Sequence, residues 1–343
     1  MGLEIRLVDP NSERELLMDT LKRFLTPTSD SKRFDWLYLD NPFGKARVWI
    51  SREMAKGSVA GMAAAFPRRV WVNGKSEIGW VLGDFCLNPQ YRSLGPALAL
   101  QRECLKEINQ AYQTFCYDFP SQVMMAIYRR MGMKAYGNLV RLAKPLRIDR
   151  KVRKFVKREW VVQGLSLPGN LLLKARDHKV NVPAGITFDF FKEPFGDEFT
   201  RLDKEIVLPN SVCLQRSAEY LNWHYLQNPL YQFEVFTARK EGVLQGYLIF
   251  YQNGEDGTIV DLRCVPETSH ILTLIDRVTD TLRGRKVMTV SLPIFESHPW
   301  TNLFQSRGFV AREESPVVVY APGNTDMTQD SCKWFLMYGD RDS

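Results

Sequence analysis

The stretch Leu87-Asn88-Pro89-Gln90-Tyr91-Arg92-Ser93-Leu94-Gly95-Pro96-Ala97 carries the residue types that grip an anion. It reads as the end of a strand, a tight loop and the start of a helix. The apolar residues Ala97, Leu100, Cys104, Leu105, Ile108 and Ala111 set that helix at about Pro96 to Tyr112. The first amides of a helix lack internal partners and carry the positive end of its dipole. Such a loop can therefore aim backbone N–H groups at a diphosphate. Gly95 lets the backbone approach closely, Ala97 keeps the first turn thin, and Arg92 adds a cation beside Ser93 and Leu94. Pro96 suits the first turn but has no N–H to donate, which forgoes one hydrogen bond to a charged group, about 1.5–3 kcal/mol.

The elements that must position this loop come in two copies. Trp36-Leu-Tyr38-Leu39-Asp-Asn41-Pro42 recurs as Trp223-His-Tyr225-Leu226-Gln-Asn228-Pro229. Each copy is followed by a strand-like run, Ala46 to Ser51 and Phe233 to Ala238, and then by a second around Gly61 or Gly246. Asp84-Phe-Cys-Leu-Asn-Pro89 is echoed by Asp261-Leu-Arg-Cys-Val-Pro266, and Tyr128 to Met133 by Phe304 to Phe309. Echoes in the same order predict one α/β unit duplicated. Within the first copy, strands are expected at Ile5 to Val8, Ser58 to Phe66, Arg69 to Val72, Glu77 to Leu87, Thr114 to Tyr117 and Leu139 to Leu142. Helices are expected at Glu13 to Leu25 and Val123 to Met131. Asn73-Gly74 is a hairpin turn, and Gly83 inside its strand predicts a bulge or a close approach by a ligand.

Composition narrows the class. A chain of 343 residues, 45% hydrophobic and 25% charged, has the makeup of a globular protein with about two domains. The longest apolar run, Val59 to Phe66, is far short of the ~20 residues of a membrane span. The first residues, Met1 to Arg6, show no apolar signal core, so a cytoplasmic location is the expectation. The six cysteines contain no CxxC pair and read as reduced, buried side chains. The four histidines show no metal-ligand spacing, so no metal is expected. Nine of the 46 Lys and Arg fall between 141 and 160 against Asp149 and Glu159, which accounts for the whole net charge of +7. A local cluster of this kind does not argue for a nucleic-acid partner. It lies on a connector, 148–184, where Ile148, Val152, Phe155 and Val156 form an apolar stripe on a basic helix and Pro168-Gly169-Asn170 is expected to break the chain. The basic face reads as a solvated surface, with a phosphate-rich partner as the alternative.

Arg92, Gly95 and Ala97 match the [QR]xxGx[GA] pattern of the GNAT superfamily of acyl-CoA-dependent N-acyltransferases, which the chain resembles, with Pro89 and Tyr91 in the usual lead-in. Ala126 to Met133 resembles the family's later Tyr-x-x-x-Gly segment. Asp118-Phe119-Pro120-Ser121 and the Arg69 to Gly74 hairpin look closest to the multi-domain aminoglycoside and lysine acetyltransferases. The resemblance covers residues 1 to 147 and reaches the rest through the repeat. It implies two tandem GNAT-like domains, 1–147 and 185–343, each an α/β unit with a mixed, mostly antiparallel sheet flanked by helices. It also implies that the backbone amides of Phe85, Cys86 and Leu87 face the pantetheine and thioester of acetyl-CoA or another acyl-CoA, where preorganised donors stabilise an oxyanion. Tyr128 matches the tyrosine that protonates the departing thiolate; otherwise it is a half-buried aromatic on an amphipathic helix.

Asp84 is a candidate general base, directly or through water, or it caps a bulge; Asp118 is a similar candidate. Asp35 and Asp40 could bind a cationic acceptor. Cys86 has no histidine near it in sequence and reads as a packed cysteine rather than a nucleophile. In the second copy the loop reads Pro266-Glu267-Thr268-Ser269-His270, where Glu267 would repel a diphosphate and Thr268 or Ser269 caps a helix. Phe304 replaces the Tyr128 hydroxyl. That half is expected to have lost the cofactor and to supply scaffold and part of an acceptor pocket, with Trp223, Tyr225, Trp300 and Trp334 as lining or core. The expected activity is direct transfer of an acyl group, most simply acetyl, to a primary amine of a small molecule or sugar (an acyltransferase of class EC 2.3.1). The alternatives are a donor carried on acyl carrier protein or aminoacyl-tRNA, and a non-catalytic binding protein.

Overall fold

The computed structural model describes residues 2–27, 30–112, 115–177, 184–322, 325–328 and 333–341. Fourteen strands run in chain order as β1 Leu3–Val8, β2 Arg47–Glu53, β3 Val59–Val72, β4 Lys75–Leu87, β5 Cys116–Asp118, β6 Gly137–Pro145, β7 Ile186–Phe191, β8 Ser211–Leu214, β9 Glu234–Lys240, β10 Val243–Asn253, β11 Asp256–Cys264, β12 Thr289–Phe295, β13 Val310–Tyr320 and β14 Lys333–Phe335. The helices are α1 Arg14–Phe24, α2 Ser31–Phe34, α3 Leu94–Tyr112, α4 Gln122–Arg130, α5 Asp149–Val152, α6 Glu159–Ala175, α7 Asp197–Glu205, α8 Ala218–Leu221, α9 Thr268–Gly284 and α10 Thr301–Ser306. The fold is mixed α/β around one mostly antiparallel sheet, in the order β1-β2-β3-β4-β5-β13-β6-β12-β11-β10-β9-β7.

That order reveals a reciprocal exchange. β6 leaves the first half to pair with β12, and β13 leaves the second half to pair with β5, while β6 and β13 also pair with each other. The strand expected at Leu139 to Leu142 thus exists, but Leu139 to Pro145 sit opposite Phe295 to Thr289 of the other half. The sheet has no break at residue 147.

The sequence repeat has a structural counterpart at the junction. α2 runs into a π-helical turn, Asp35–Leu39, and α8 into another, Asn222–Leu226. Trp36 and Trp223 stack with ring centroids 5.0 Å apart, and each indole N–H donates to the other's backbone carbonyl at 2.9 Å. Both rings are buried in a core that spans the two halves.

Local rules account for most boundaries. Asn73 and Gly74 both take positive φ, 51° and 80°, as a two-residue hairpin requires. The runs Ser58 to Phe66 and Arg69 to Val72 are one strand, since Pro67 is accommodated opposite Trp80. α3 starts at Leu94, two residues before Pro96. Pro168 does not break the connector: it lies inside α6, exposed, so the Gly164 carbonyl that loses its donor faces water. The stripe of the connector packs only in part: Ile148, Val152 and Val156 are half-buried, while Phe155 is 88% exposed beyond the short α5. Cys86, Cys104, Cys116, Cys213 and Cys264 are buried free thiols; Cys332 and Thr114 lie outside the described residues, as does the side chain of Ala111.

Candidate functional site

β4 and β5 run parallel only at Trp80↔Cys116 and Val81↔Tyr117, then part. Between them opens a cavity of about 630 Å³, floored by the small residues Ala63, Ala64, Gly83 and Ala97 and walled by Leu82 to Leu87, Asp118 to Ser121 and one face each of α3 and α4. Phe24 and Leu25, at the end of α1, close its outer rim. Phe85, Cys86, Leu87, Arg92, Ser93, Leu94 and Ala97 line it, whereas Gly95, the remaining residue of the sequence-predicted cofactor set, does not.

The loop between β4 and α3 is pinned from below. The Asn88 side chain accepts from the Gln90 amide at 3.0 Å, and the buried Tyr91 hydroxyl donates to Glu53 Oε2 at 2.6 Å. Arg92 Nε donates to the Leu87 carbonyl at 3.1 Å, which holds the guanidinium across the cavity mouth. The Asn88 amide bonds the Ala60 carbonyl on β3. Strand alternation then turns the backbone groups of Leu87 toward the cleft and those of Cys86 toward β3. Of the predicted amides, this register aims Leu87's at a ligand and turns that of Cys86 away. At the helix start, the Ser93 amide is taken by Tyr91 O, and the Ala97 amide by Ser93 O at 3.4 Å. The amides of Leu94 and Gly95, in the first turn, are the donors with no carbonyl ahead of them. A Cβ at Gly95 would meet no atom within 4 Å outside its own helical turn, so the surface beside that residue is open.

Asp84 occupies the predicted bulge. The register slips between Met62↔Cys86 and Ala64↔Gly83, and Asp84, next to Gly83, takes the left-handed φ of 47°. Its carboxylate receives Arg33 Nη1 at 2.8 Å, Arg33 Nη2 at 2.9 Å and the Tyr38 hydroxyl at 2.7 Å. A carboxylate has about four lone-pair sites, and the bidentate guanidinium and the phenol take three of them. Asp84 is thus a structural clamp rather than a free base, and burial together with Asp84 pushes the Tyr38 phenol well above its ordinary range.

Tyr128 is fully buried and does not line the cavity. Its hydroxyl donates to Asp118 Oδ2 at 2.6 Å and accepts from Gln101 Nε2 at 3.2 Å, and both of those partners do line it. Burial, then the Asp118 charge, raises the phenol well above 10. Such a phenol holds its proton more tightly than the role of direct acid requires. Burial, then Asp84, pushes the Cys86 thiol up to about 12, so no thiolate forms there near neutrality. Asp35 pairs with Arg14 away from the cavity, and Asp40 does not line it. Arg33 and Gln101 escaped the sequence reading. Gln101 left a trace, as a polar residue on the apolar stripe of α3; Arg33, 51 residues from its partner, left none.

The second half repeats the parting of strands. β11 and β12 pair in parallel from Asp256↔Thr289 to Thr258↔Ser291 and then separate. Only about 220 Å³ remains there, among Asp203, Arg263, Cys264, His298 and Trp300. Glu267 itself is the N-cap of α9, and Ser269 donates to its carboxylate at 3.0 Å, so neither Thr268 nor Ser269 caps the helix. Asp261 accepts from Tyr225 at 2.8 Å and from Arg216, a counterpart of the Asp84 clamp. Trp223, Tyr225 and Trp334 are core residues, and Trp300 lines the small cavity. The large cavity is lined by residues 24 to 127 alone, so the second half contributes none of its wall.

A sequence profile of the acetyltransferase (GNAT) domain matches residues 7–136. No curated protein matches the sequence. The fold is similar to that of a GCN5-related N-acetyltransferase from Anabaena variabilis, 15% identical with a TM-score of 0.65, over 92% of this chain and 72% of that one. It is also similar to a GCN5-related N-acetyltransferase from Kribbella flavida, 14% identical with a TM-score of 0.58, over 92% and 71%. Saccharomyces cerevisiae N-myristoyltransferase, solved with bound myristoyl-CoA, is 12% identical with a TM-score of 0.57, over 93% and 82%. At these identities the likeness is one of fold.

Proposed function

We propose, from the match of residues 7–136 to the acetyltransferase (GNAT) domain profile, that this protein is an acyl-CoA-dependent N-acyltransferase, with acetyl-CoA as the simplest donor and a primary amine of a small molecule or sugar as acceptor. The observation that carries this reading is the cleft that runs from Leu94, in the first turn of α3, to the bulge at Asp84. Leu94, Gly95 and Arg92 would hold a diphosphate, and the apolar walls from Leu82 to Leu87 and on α4 would take a pantetheine arm. The Leu87 amide is placed to stabilise a thioester oxyanion. The acceptor nitrogen forms the C–N bond as the C–S bond breaks, the nitrogen loses a proton and the thiolate gains one. Asp118, on the cavity wall with Gln101, and with Tyr128 behind both, is the titratable group we assign to handle those protons. Asp84, Arg33 and Tyr38 keep the bulge in its unusual backbone conformation.

Calorimetry on the whole chain tests the reading. Acetyl-CoA should bind, and Gly95→Trp, which fills the open space at the helix start, should weaken binding by about 100-fold or more, ~2.7 kcal/mol, with the melting temperature unchanged. Butyryl- and octanoyl-CoA in the same assay rank the acyl length that the mostly apolar cavity accepts. If acetyl-CoA, longer acyl-CoAs and free CoA all fail to bind, the reading is wrong, and a donor carried on acyl carrier protein or tRNA becomes the one to assay.

A further inference from the structure

We propose that α6, with the basic turn before it, is a docking face for an anionic phospholipid bilayer, on which the helix lies flat. No helix among the described residues is long and apolar enough to cross a membrane, yet α6 turns its apolar side outward. Only Val162 and Ser166 of its seventeen residues are buried. Trp160, Leu167 and Leu171, 72%, 59% and 58% exposed, follow one line along the helix, Leu167 and Leu171 at the rim of a cleft shared with Asp280 and Arg283, and Leu165 and Leu172 stand exposed about a third of a turn further round. Phe155 extends the patch toward α5. At 1.5 Å per residue the helix is about 25 Å long, and isolated surface leucines do not build a continuous strip of that length.

The helix is held in this orientation from beneath. Gly169 rests on Ile148 so closely that a Cβ would lie 2.2 Å from its Cδ1. Asn170 accepts from the Ile148 amide and donates to Asp149 Oδ2, both at 2.8 Å. The outward apolar face is therefore fixed by packing on the other side.

The charges around the strip select its partner. Lys151, Lys154, Lys157 and Arg158 precede it and Lys174 and Arg176 follow it, all exposed, and among the described residues none of the six forms an ion pair. Arg147, Arg150 and Arg153 of the same cluster are spent on Asp149, Asp256 and Glu159. The last of these neutralises the only acidic residue of α6. Unpaired cations at both ends of a Trp- and Leu-rich strip, with only the Arg153-paired Glu159 as an exposed acid of the helix between them, match a negative headgroup layer over hydrocarbon. Long basic side chains can reach the headgroups while the apolar residues sink below them.

Flotation of the whole protein with vesicles tests this without any acyl donor, so its outcome is independent of the proposed activity. Vesicles of phosphatidylcholine with about one third phosphatidylglycerol should bind the protein, and phosphatidylcholine alone should bind it at least about tenfold less. Salt at roughly 0.5 M, where screening falls to a few ångströms, should release much of it. Lys154→Glu with Lys157→Glu should weaken binding about tenfold, and Trp160→Ser with Leu171→Ser should abolish it; all four sites are exposed, so melting temperature and oligomer size should not change. Absence of binding to either vesicle overturns the proposal, as does binding that the two serines leave intact. Self-association or capture of acyl carrier protein that the same serines abolish, with no vesicle binding, assigns the face to a protein and overturns it too.

Discussion

The two clefts of this molecule grow from the same parting of parallel strands, β4 from β5 and β11 from β12, and differ nearly threefold in the space they enclose. The difference comes down to a few side chains. Cys86, two residues after the clamped Asp84, is matched two residues after Asp261 by Arg263, whose guanidinium lies in the gap near Asp203 at 3.4 Å and donates to the Leu214 carbonyl at 2.9 Å. Gly95 and its open surroundings are matched by a shorter loop in which a carboxylate stands at the helix start. The architecture supplies the wedge, and small residues in one half against a cation in the other decide whether anything enters it.

Swapping the clamps is the strongest way to break the comparison. Arg216 is fully buried and holds both Asp261 and Asp340, so Arg216→Met strands two carboxylates and should lower unfolding stability by about 3–5 kcal/mol. Arg33→Met releases Asp84 beside a cavity that water can enter, and should cost about 1.5–3 kcal/mol while turnover falls. Urea titrations of both variants decide it: equal losses would mean that the open cleft does not relieve its clamp.

An intermediate effect sharpens the comparison through pH. His298, in the closed cleft, is driven down to about 3 by burial and then by Arg263, while the open cleft carries no histidine. The folded value lies below the unfolded one near 6.5, so the unfolded chain binds the proton first. The contribution is present above pH 6.5 and is lost as pH falls toward 3, reaching about 2 kcal/mol by pH 5. His298→Asn should remove that slope from the difference between the two stability curves; parallel curves would show that the closed cleft admits a proton.

The smallest effect is expected at Tyr128, whose counterpart is Phe304. Because its hydroxyl acts from behind Asp118, Tyr128→Phe should lower kcat by no more than about tenfold, ~1.4 kcal/mol, and Asp118→Asn by more. A loss of about 100-fold or greater from Tyr128→Phe would restore it as the direct proton donor.

The readable part of this fold was local. The loop from Asn88 to Ala97, the Asn73-Gly74 turn and the bulge at Gly83 follow from backbone preferences of a few neighbouring residues, and the Trp36 and Trp223 segments announced the repeat by composition. What could not be read depends on partners far along the chain. Asp84 looked like a base because nothing near it in sequence reveals Arg33, and Tyr128 looked exposed enough to act because Asp118 and Gln101 meet it only once α3 and α4 pack. Pro168 was misjudged because a proline facing water in a helix removes a bond that solvent replaces. The crossing of β6 and β13 was invisible, since either strand would satisfy its pattern equally well in either half.

That crossing has a consequence for how far the two halves depend on each other. A chain cut after residue 147 would carry Leu139 to Pro145 with nothing to zip against and would leave β5 without its neighbour Val318 to Tyr320. Each half is the template on which the other completes itself, so the second cannot be discarded without unmaking the one that holds the larger cleft.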